Sequence, residues 1–172
     1  MRWIALFSQT GSEICNISER IERKPDIILT NNANLSEIDG RIRCDHTMRH
    51  SEIETFLKEN VVEGDIITLH GYLRILSPNV CKLPCKILNG HPAPIHIYPE
   101  LKGKDMQEVQ YIMKHKYDRI GTVIHEVIAE LDSGDILYYN DCENNLSSID
   151  DAYRKLKLMS LDLWIRCMKD IL

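Results

Sequence analysis

Two rhythms of apolar and polar positions alternate along the chain. Trp3–Phe7 (WIALF) is a short continuous apolar run, the pattern of a strand covered on both faces. Ser8–Ser12 (SQTGS) interrupts it with turn residues. A helical stretch follows, in which Ile14, Ile17 and Ile21 share one face while Glu19, Arg20, Glu22 and Arg23 face water. Pro25 ends that helix, and Asp26–Thr30 (DIILT) gives a second strand. Strand, polar loop, helix and strand make a βαβ unit, which argues for a parallel sheet.

Asn31 to His50 is polar and turn-rich, with one short strand expected around Arg41–Cys44. Ser51 followed by Glu54 predicts a capping box that opens a helix over Glu52–Asn60. Further strands are predicted at Asp65–His70 and Lys86–Asn89, a helix over Lys104–Lys114, and strands at Thr122–Ala129 and Asp135–Tyr139. Ser148 before Asp151 caps a long last helix, whose Leu156, Met159, Leu163 and Met168 face the sheet, with Trp164 beside them. No repeat, low-complexity stretch or linker divides the 172 residues, so one α/β domain over the whole chain is expected.

Composition narrows the classes. Hydrophobic residues are 44% and charged residues 27%, a mixture that excludes a disordered tail. No apolar run approaches the roughly 20 residues that span a bilayer, and the N-terminal run turns polar too soon for a signal peptide or anchor. A net charge of −5 is the wrong balance for a protein that lives on phosphate backbones, so nucleic acid is not the expected partner. The six cysteines show no framework spacing and, without an export signal, read as reduced thiols in the cytoplasm. Cys44, His46 and His50, with Cys81 and Cys85, do not match the tighter spacings of structural zinc sites, so no metal is expected.

In an open parallel sheet, ligands bind beyond the carboxyl ends of the strands. Asn89-Gly90-His91-Pro92 leaves one such end. Residues two apart in extended chain point to the same side, so Asn89 and His91 project together. Gly90 between them lets a ligand or another backbone approach. An amide beside an imidazole is equipment for stabilising an oxyanion. A turn asparagine and a hydrogen-bonded surface histidine fit the spacing equally. Asp132, delivered into an Asp-Ser-Gly turn after a strand, either orients and charges an imidazole or serves its own turn.

Gly71-Tyr-Leu-Arg74-Ile-Leu-Ser77-Pro78, Leu88-Asn89-Gly90-His91-Pro92, Tyr98-Pro99, Gly121-Thr122 with His125, and Leu131-Asp132-Ser133-Gly134 stand in an order and at separations that resemble the folate-dependent formyltransferase family. The likeness runs from Trp3 to the start of the last helix and is greatest to members acting on glycinamide ribonucleotide. It implies a Rossmann-like formyltransferase fold, a mostly parallel twisted sheet with helices on both faces. It implies 10-formyltetrahydrofolate as donor cosubstrate, with no metal. The family's Asn-x-His-Pro and Leu-Asp-x-Gly motifs place its catalytic groups on Asn89, His91 and Asp132. By that resemblance an acceptor amine attacks the formyl carbon, Asn89 and a protonated His91 stabilise the oxyanion, and Asp132 keeps His91 charged and relays the amine proton. Leu73, Arg74, Ile75 and Leu76 then line the donor pocket, the three apolar residues as walls, and Glu130, Leu131 and Asp132 close its other side.

The acceptor implied is a small anionic primary amine of nucleotide type, with Thr10, Gly11 and Ser12 at its phosphate and Gly90 beside it. Here the chain departs from the family. Gln9 and Glu13 stand where the family has Gly and Asn, and Ser160 stands where a glutamate holds the acceptor ribose. The chain also stops at Leu172, without the closing strands of longer members. Lys102 and Lys104 either meet an anionic ligand or are solvated. Formylation of an amino sugar carried on a nucleotide, and a folate- or nucleotide-binding module without turnover, are the competing readings. No membrane is implied, and a homodimer is the assembly allowed.

Overall fold

A computed structural model of the chain describes residues 1–35, 37–38 (backbone only) and 42–172. Its elements are β1 (Trp3–Phe7), α1 (Ser12–Ile21), β2 (Ile27–Thr30), β3 (Glu37–Ile38), β4 (Ile42–Arg43), β5 (His46–Thr47), α2 (His50–Asn60), β6 (Ile66–Leu69), β7 (Lys86–His91), α3 (Met106–Ile112), β8 (Arg119–Glu126), β9 (Ile136–Glu143) and α4 (Ile149–Ile171). Seven strands form one sheet in the order β5-β2-β1-β6-β7-β8-β9, parallel from β5 to β7 and antiparallel from β7 to β9. This is the Rossmann-like, mostly parallel sheet expected. β3 and β4 pair apart from it as a short antiparallel ladder.

The continuous apolar run of β1 has a direct cause in the layering. Trp3, Ala5 and Phe7 point into one core with α1 and α4, while Ile4 and Leu6 point into the opposite core with Ile53 and Leu57 of α2. All five residues are fully buried, each large side chain contributing about 1.5–3 kcal/mol of transfer free energy. On α4, Leu156, Leu163, Trp164 and Met168 are buried and Ser148 caps the first turn, accepting from the Asp151 N–H at 3.0 Å.

Several boundaries move for local reasons. α1 ends at Ile21, before Pro25, because Glu22 adopts a left-handed conformation (φ 56°) and Arg23 N–H closes on the Ser18 carbonyl. The Ser51–Glu54 capping box is not formed: Glu52 accepts from the Arg49 N–H at 2.8 Å, and Glu54 accepts from Ser77 N–H at 2.6 Å. β8 begins at Arg119, three residues earlier than expected, and β9 continues to Glu143. The strand expected around Arg41–Cys44 is β4 at Ile42–Arg43, with Arg41 outside the described residues.

Candidate active site

β7 extends three residues beyond its apolar run, through Asn89, Gly90 and His91, and so carries both polar groups of interest. Leu69 pairs with Asn89 across the parallel ladder, and Asn89 pairs with His125 across the antiparallel one. Asn89 and His91 project from the same face, as the alternation requires. Gly90 projects to the other, where the space of its missing side chain is filled by Trp164: an added Cβ would lie 2.7 Å from the indole Nε1. The glycine expected to admit a ligand therefore admits a buried tryptophan.

Asp132 reaches this strand from the connection between β8 and β9. Gly134 closes its base against the β8 end, where a Cβ would lie 2.0 Å from the Glu126 carbonyl oxygen. Asp132 itself is left-handed (φ 49°), and its side chain turns inward. Its Oδ2 accepts from Gly103 N–H at 3.0 Å and lies 3.5 Å from His91 Nδ1, while Oδ1 lies 3.4 Å from His125 Nε2. The three predicted residues are thus brought together, and a fourth joins them. His125 Nε2 lies 3.2 Å from Asn89 Nδ2. The signal for it was in the chain, as a lone histidine in the middle of an apolar strand, but its meaning needed the antiparallel register.

The proton order follows from fixed partners. His91 Nε2–H donates to the Leu101 carbonyl at 2.7 Å, and His125 Nδ1–H donates to the Glu126 carbonyl at 2.8 Å. In a neutral ring the second nitrogen is an acceptor. The other ring nitrogen of each histidine faces Asp132, and Asn89 Nδ2–H is directed at His125 Nε2. Burial lowers the His91 pKa below its ordinary value, outweighing the Asp132 charge and the Leu101 hydrogen bond that raise it. The charged His91 expected from the sequence is therefore disfavoured in the free protein. Burial pushes Asp132 upward, but the His125 contact, the His91 charge interaction and Gly103 N–H together hold it below the usual aspartate value.

The 71–78 loop is tied down beside this cluster. Gly71 is left-handed (φ 62°), its carbonyl accepts from Ser8 N–H, and Ser8 Oγ accepts from Leu73 N–H at 2.9 Å. Leu73 and Ile75 are exposed. Leu76, expected as a third wall, is buried in the α2-side core with Tyr72 and Val80. Glu130 and Leu131 are exposed on the loop that carries Asp132. A cleft of about 430 Å³ opens between Ser8, Asn31, Asn32, Ala33, Leu73, Arg74 and Lys104. An adjoining one of about 300 Å³ shares Asn31 and Arg74 and adds Arg49 and His50. Lys102 is not in either lining; its ammonium donates to Ser133 Oγ at 2.8 Å.

Thr10, Gly11 and Ser12 form the turn into α1, with Gly11 left-handed (φ 65°) and Ser12 N–H directed at Thr10 Oγ1 (3.4 Å). Cys44, His46 and His50 do not converge: Cys44 is buried in the core, His46 packs on Phe56, and His50 Nδ1 lies 2.8 Å from Tyr72 Oη. Among the described residues no group of three or more potential metal ligands occurs, and no helix is long and apolar enough to cross a membrane.

Comparison with known proteins gives this geometry a context. The chain is similar to phosphoribosylglycinamide formyltransferase of Campylobacter jejuni, with 21% identity, 99% of each chain covered and a TM-score of 0.74. It is similar to a formyltetrahydrofolate deformylase of Pseudomonas syringae (17% identity, 97% of this chain and 60% of that one, TM-score 0.78). It also resembles a sugar N-formyltransferase of a Shewanella species (14%, 99% and 70%, TM-score 0.69). These likenesses show the fold. No curated protein sequence matches the chain. A sequence profile described as formyl transferase matches residues 8–157, from the first loop through the Asn89, His91 and Asp132 motifs into α4, and the chain therefore belongs to the formyl transferase family, which draws on formyltetrahydrofolate.

Proposed function

We propose that the protein transfers the formyl group of 10-formyltetrahydrofolate to the primary amine of a small acceptor at Asn89, His91 and Asp132. The observation that carries this reading is the convergence of two imidazoles on a single buried carboxylate at a sheet end, with the Asn89 amide against one of them. The amine lone pair attacks the formyl carbon, and the carbonyl oxygen becomes an oxyanion. Asn89 Nδ2 carries two N–H bonds, one directed at His125, and the other is available to that oxyanion. The nitrogen proton passes to Asp132, directly or through one water. Protonation there gives the carboxyl one O–H donor, with His91 Nδ1 at 3.5 Å as its acceptor, so the cluster gains one hydrogen bond as it takes the proton. Collapse of the tetrahedral carbon breaks the bond to the folate nitrogen, which takes the proton back from Asp132 and leaves, restoring the carboxylate. His91 reaches the oxyanion only after its Nε2–H leaves the Leu101 carbonyl, so the 101–103 segment, which also supplies Gly103 N–H to Asp132, moves with catalysis.

Exposed Leu73 and Ile75 fit the flat apolar donor ring, and the neighbouring cleft with Arg74, Lys104 and Arg49 fits carboxylates of the donor. The test is conversion of 10-formyltetrahydrofolate to tetrahydrofolate, followed with and without a panel of amines. Amine-dependent conversion with a formamide product is expected. Conversion without amine, releasing formate, would make water the acceptor, and folate binding without conversion under any condition would overturn the reading.

A further inference from the structure

A second buried polar network lies one residue along the adjoining strand ends, and formyl transfer as proposed above does not use it. His70 follows the β6 residue that pairs with Asn89, and its side chain is fully buried. His70 Nδ1 lies 2.9 Å from Glu13 Oε2, and His70 Nε2 lies 2.8 Å from Thr68 Oγ1. Trp3 Nε1–H donates to Thr68 Oγ1 at 2.7 Å. Ser160 Oγ–H, from α4, donates to Glu13 Oε1 at 2.7 Å. A carboxylate only accepts, so His70 donates its Nδ1–H to Glu13, and in a neutral ring Nε2 is left to accept from the Thr68 hydroxyl, which in turn accepts from the indole N–H. Trp3 donates to Thr68, the Thr68 hydroxyl donates to His70 Nε2, and His70 Nδ1–H donates to Glu13.

Glu13 is thereby fixed from two sides in the first turn of α1, where the helix dipole favours negative charge. A fixed negative charge of the chain thus stands in the turn where a ligand anion would otherwise be favoured. A carboxylate offers about four acceptor positions. Two are filled by His70 and Ser160, and the side chain remains 22% exposed, so the rest face outward beside the turn formed by Thr10, Gly11 and Ser12. A phosphate brought there meets like charge. A hydroxyl brought there finds an acceptor whose position is already set, with no side-chain ordering left to complete.

We infer that Glu13 selects the acceptor: the amine formylated at this site presents a hydroxyl, and no phosphate, to the N-terminus of α1. The inference rests on the formyl-transfer reading, and its test separates the two. With the full-length protein, kcat/KM is measured for hydroxyl-bearing amines and for their phosphate esters, glycinamide ribonucleotide included. The unphosphorylated member of each pair is expected to be preferred at least about tenfold, the worth of one charge-assisted hydrogen bond. Glu13→Gln is expected to narrow that ratio through the acceptor KM, while the donor KM holds; Ser160→Ala, which removes one tether, is expected to lie between. A wild-type preference for the phosphorylated partner, or an unchanged ratio in Glu13→Gln, would overturn the inference.

A second arm needs no turnover. Inorganic phosphate is titrated against the amide resonances of residues 10–13. Wild type is expected to show no saturable shift, and Glu13→Gln to acquire one. Saturable binding by wild type, or none by the variant, also counts against Glu13 as the selector. If no amine is formylated while the phosphate arm behaves as expected, the formyl-transfer reading falls and the role of Glu13 stands.

Discussion

Two clusters at neighbouring strand ends use the same chemical groups, carboxylate and imidazole, in opposite states of satisfaction. In the Glu13 cluster the donors are matched to acceptors in one direction, from Trp3 through Thr68 and His70 to the carboxylate. Around Asp132 each histidine has already given one N–H to a backbone carbonyl and turns its other ring nitrogen toward the carboxylate. The first arrangement is complete and serves to fix a charge in place. The second holds its carboxylate ionised against two ring nitrogens, through which a proton can be passed. Which behaviour a carboxylate–imidazole pair shows is decided by what occupies the far nitrogen of the ring, a hydroxyl in one case and a carbonyl in the other.

The largest effect should come from removing the proton acceptor. Asp132→Asn is expected to lower kcat by about 10²–10⁴ with the donor still bound, measured by steady-state turnover and by donor titration. Full turnover in that variant would end the distinction drawn between the clusters. Asn89→Ala is expected to cost about 10²–10³ in kcat through the lost oxyanion donor. Next in size is Gly134→Ala, whose added carbon meets a backbone carbonyl; a loss of about 1–3 kcal/mol in denaturant unfolding is expected, with reduced activity as Asp132 is displaced. Thr68→Val removes the hydroxyl that joins Trp3 to His70 and should cost about 1–3 kcal/mol, with Asp132-dependent turnover less affected than acceptor KM.

The smallest effect is on pH dependence, and it sharpens the comparison. Burial makes folded His91 bind its proton at lower pH than the unfolded chain does, so just below the ordinary histidine value of 6.5 the unfolded state holds more protons. Stability therefore falls as pH drops through that window, by at most about 1.4 kcal/mol per pH unit for one proton. Asp132, held low, adds a separate loss below the ordinary aspartate value of 3.8. Urea midpoints between pH 7.5 and 5 should show the first slope in wild type and a shallower one in His91→Gln.

Local signals carried much of the fold. The Trp3–Phe7 run, the Ser148 cap and the turn residues after each strand read directly because each depends on neighbours within a few positions. Glu54 was misread as a cap because its partner, Ser77 N–H, lies 23 residues away. Leu76 was misread as a pocket wall for the same reason: an exposed loop residue and a core residue look alike until the core is assembled.

By itself the sequence determined a parallel α/β sheet and the placing of Asn89 and His91 on one face, since strand alternation is a property of the backbone. The turn after the strand offered Asp132 in two roles, and the family motifs chose the catalytic one. The tertiary structure alone decided that His125 stands opposite Asn89, that Trp164 fills the space at Gly90, and that Glu13 meets a histidine 57 residues away. It also decided the proton order, because each ring's tautomer is fixed by carbonyl or hydroxyl groups that only the folded chain brings within hydrogen-bond distance.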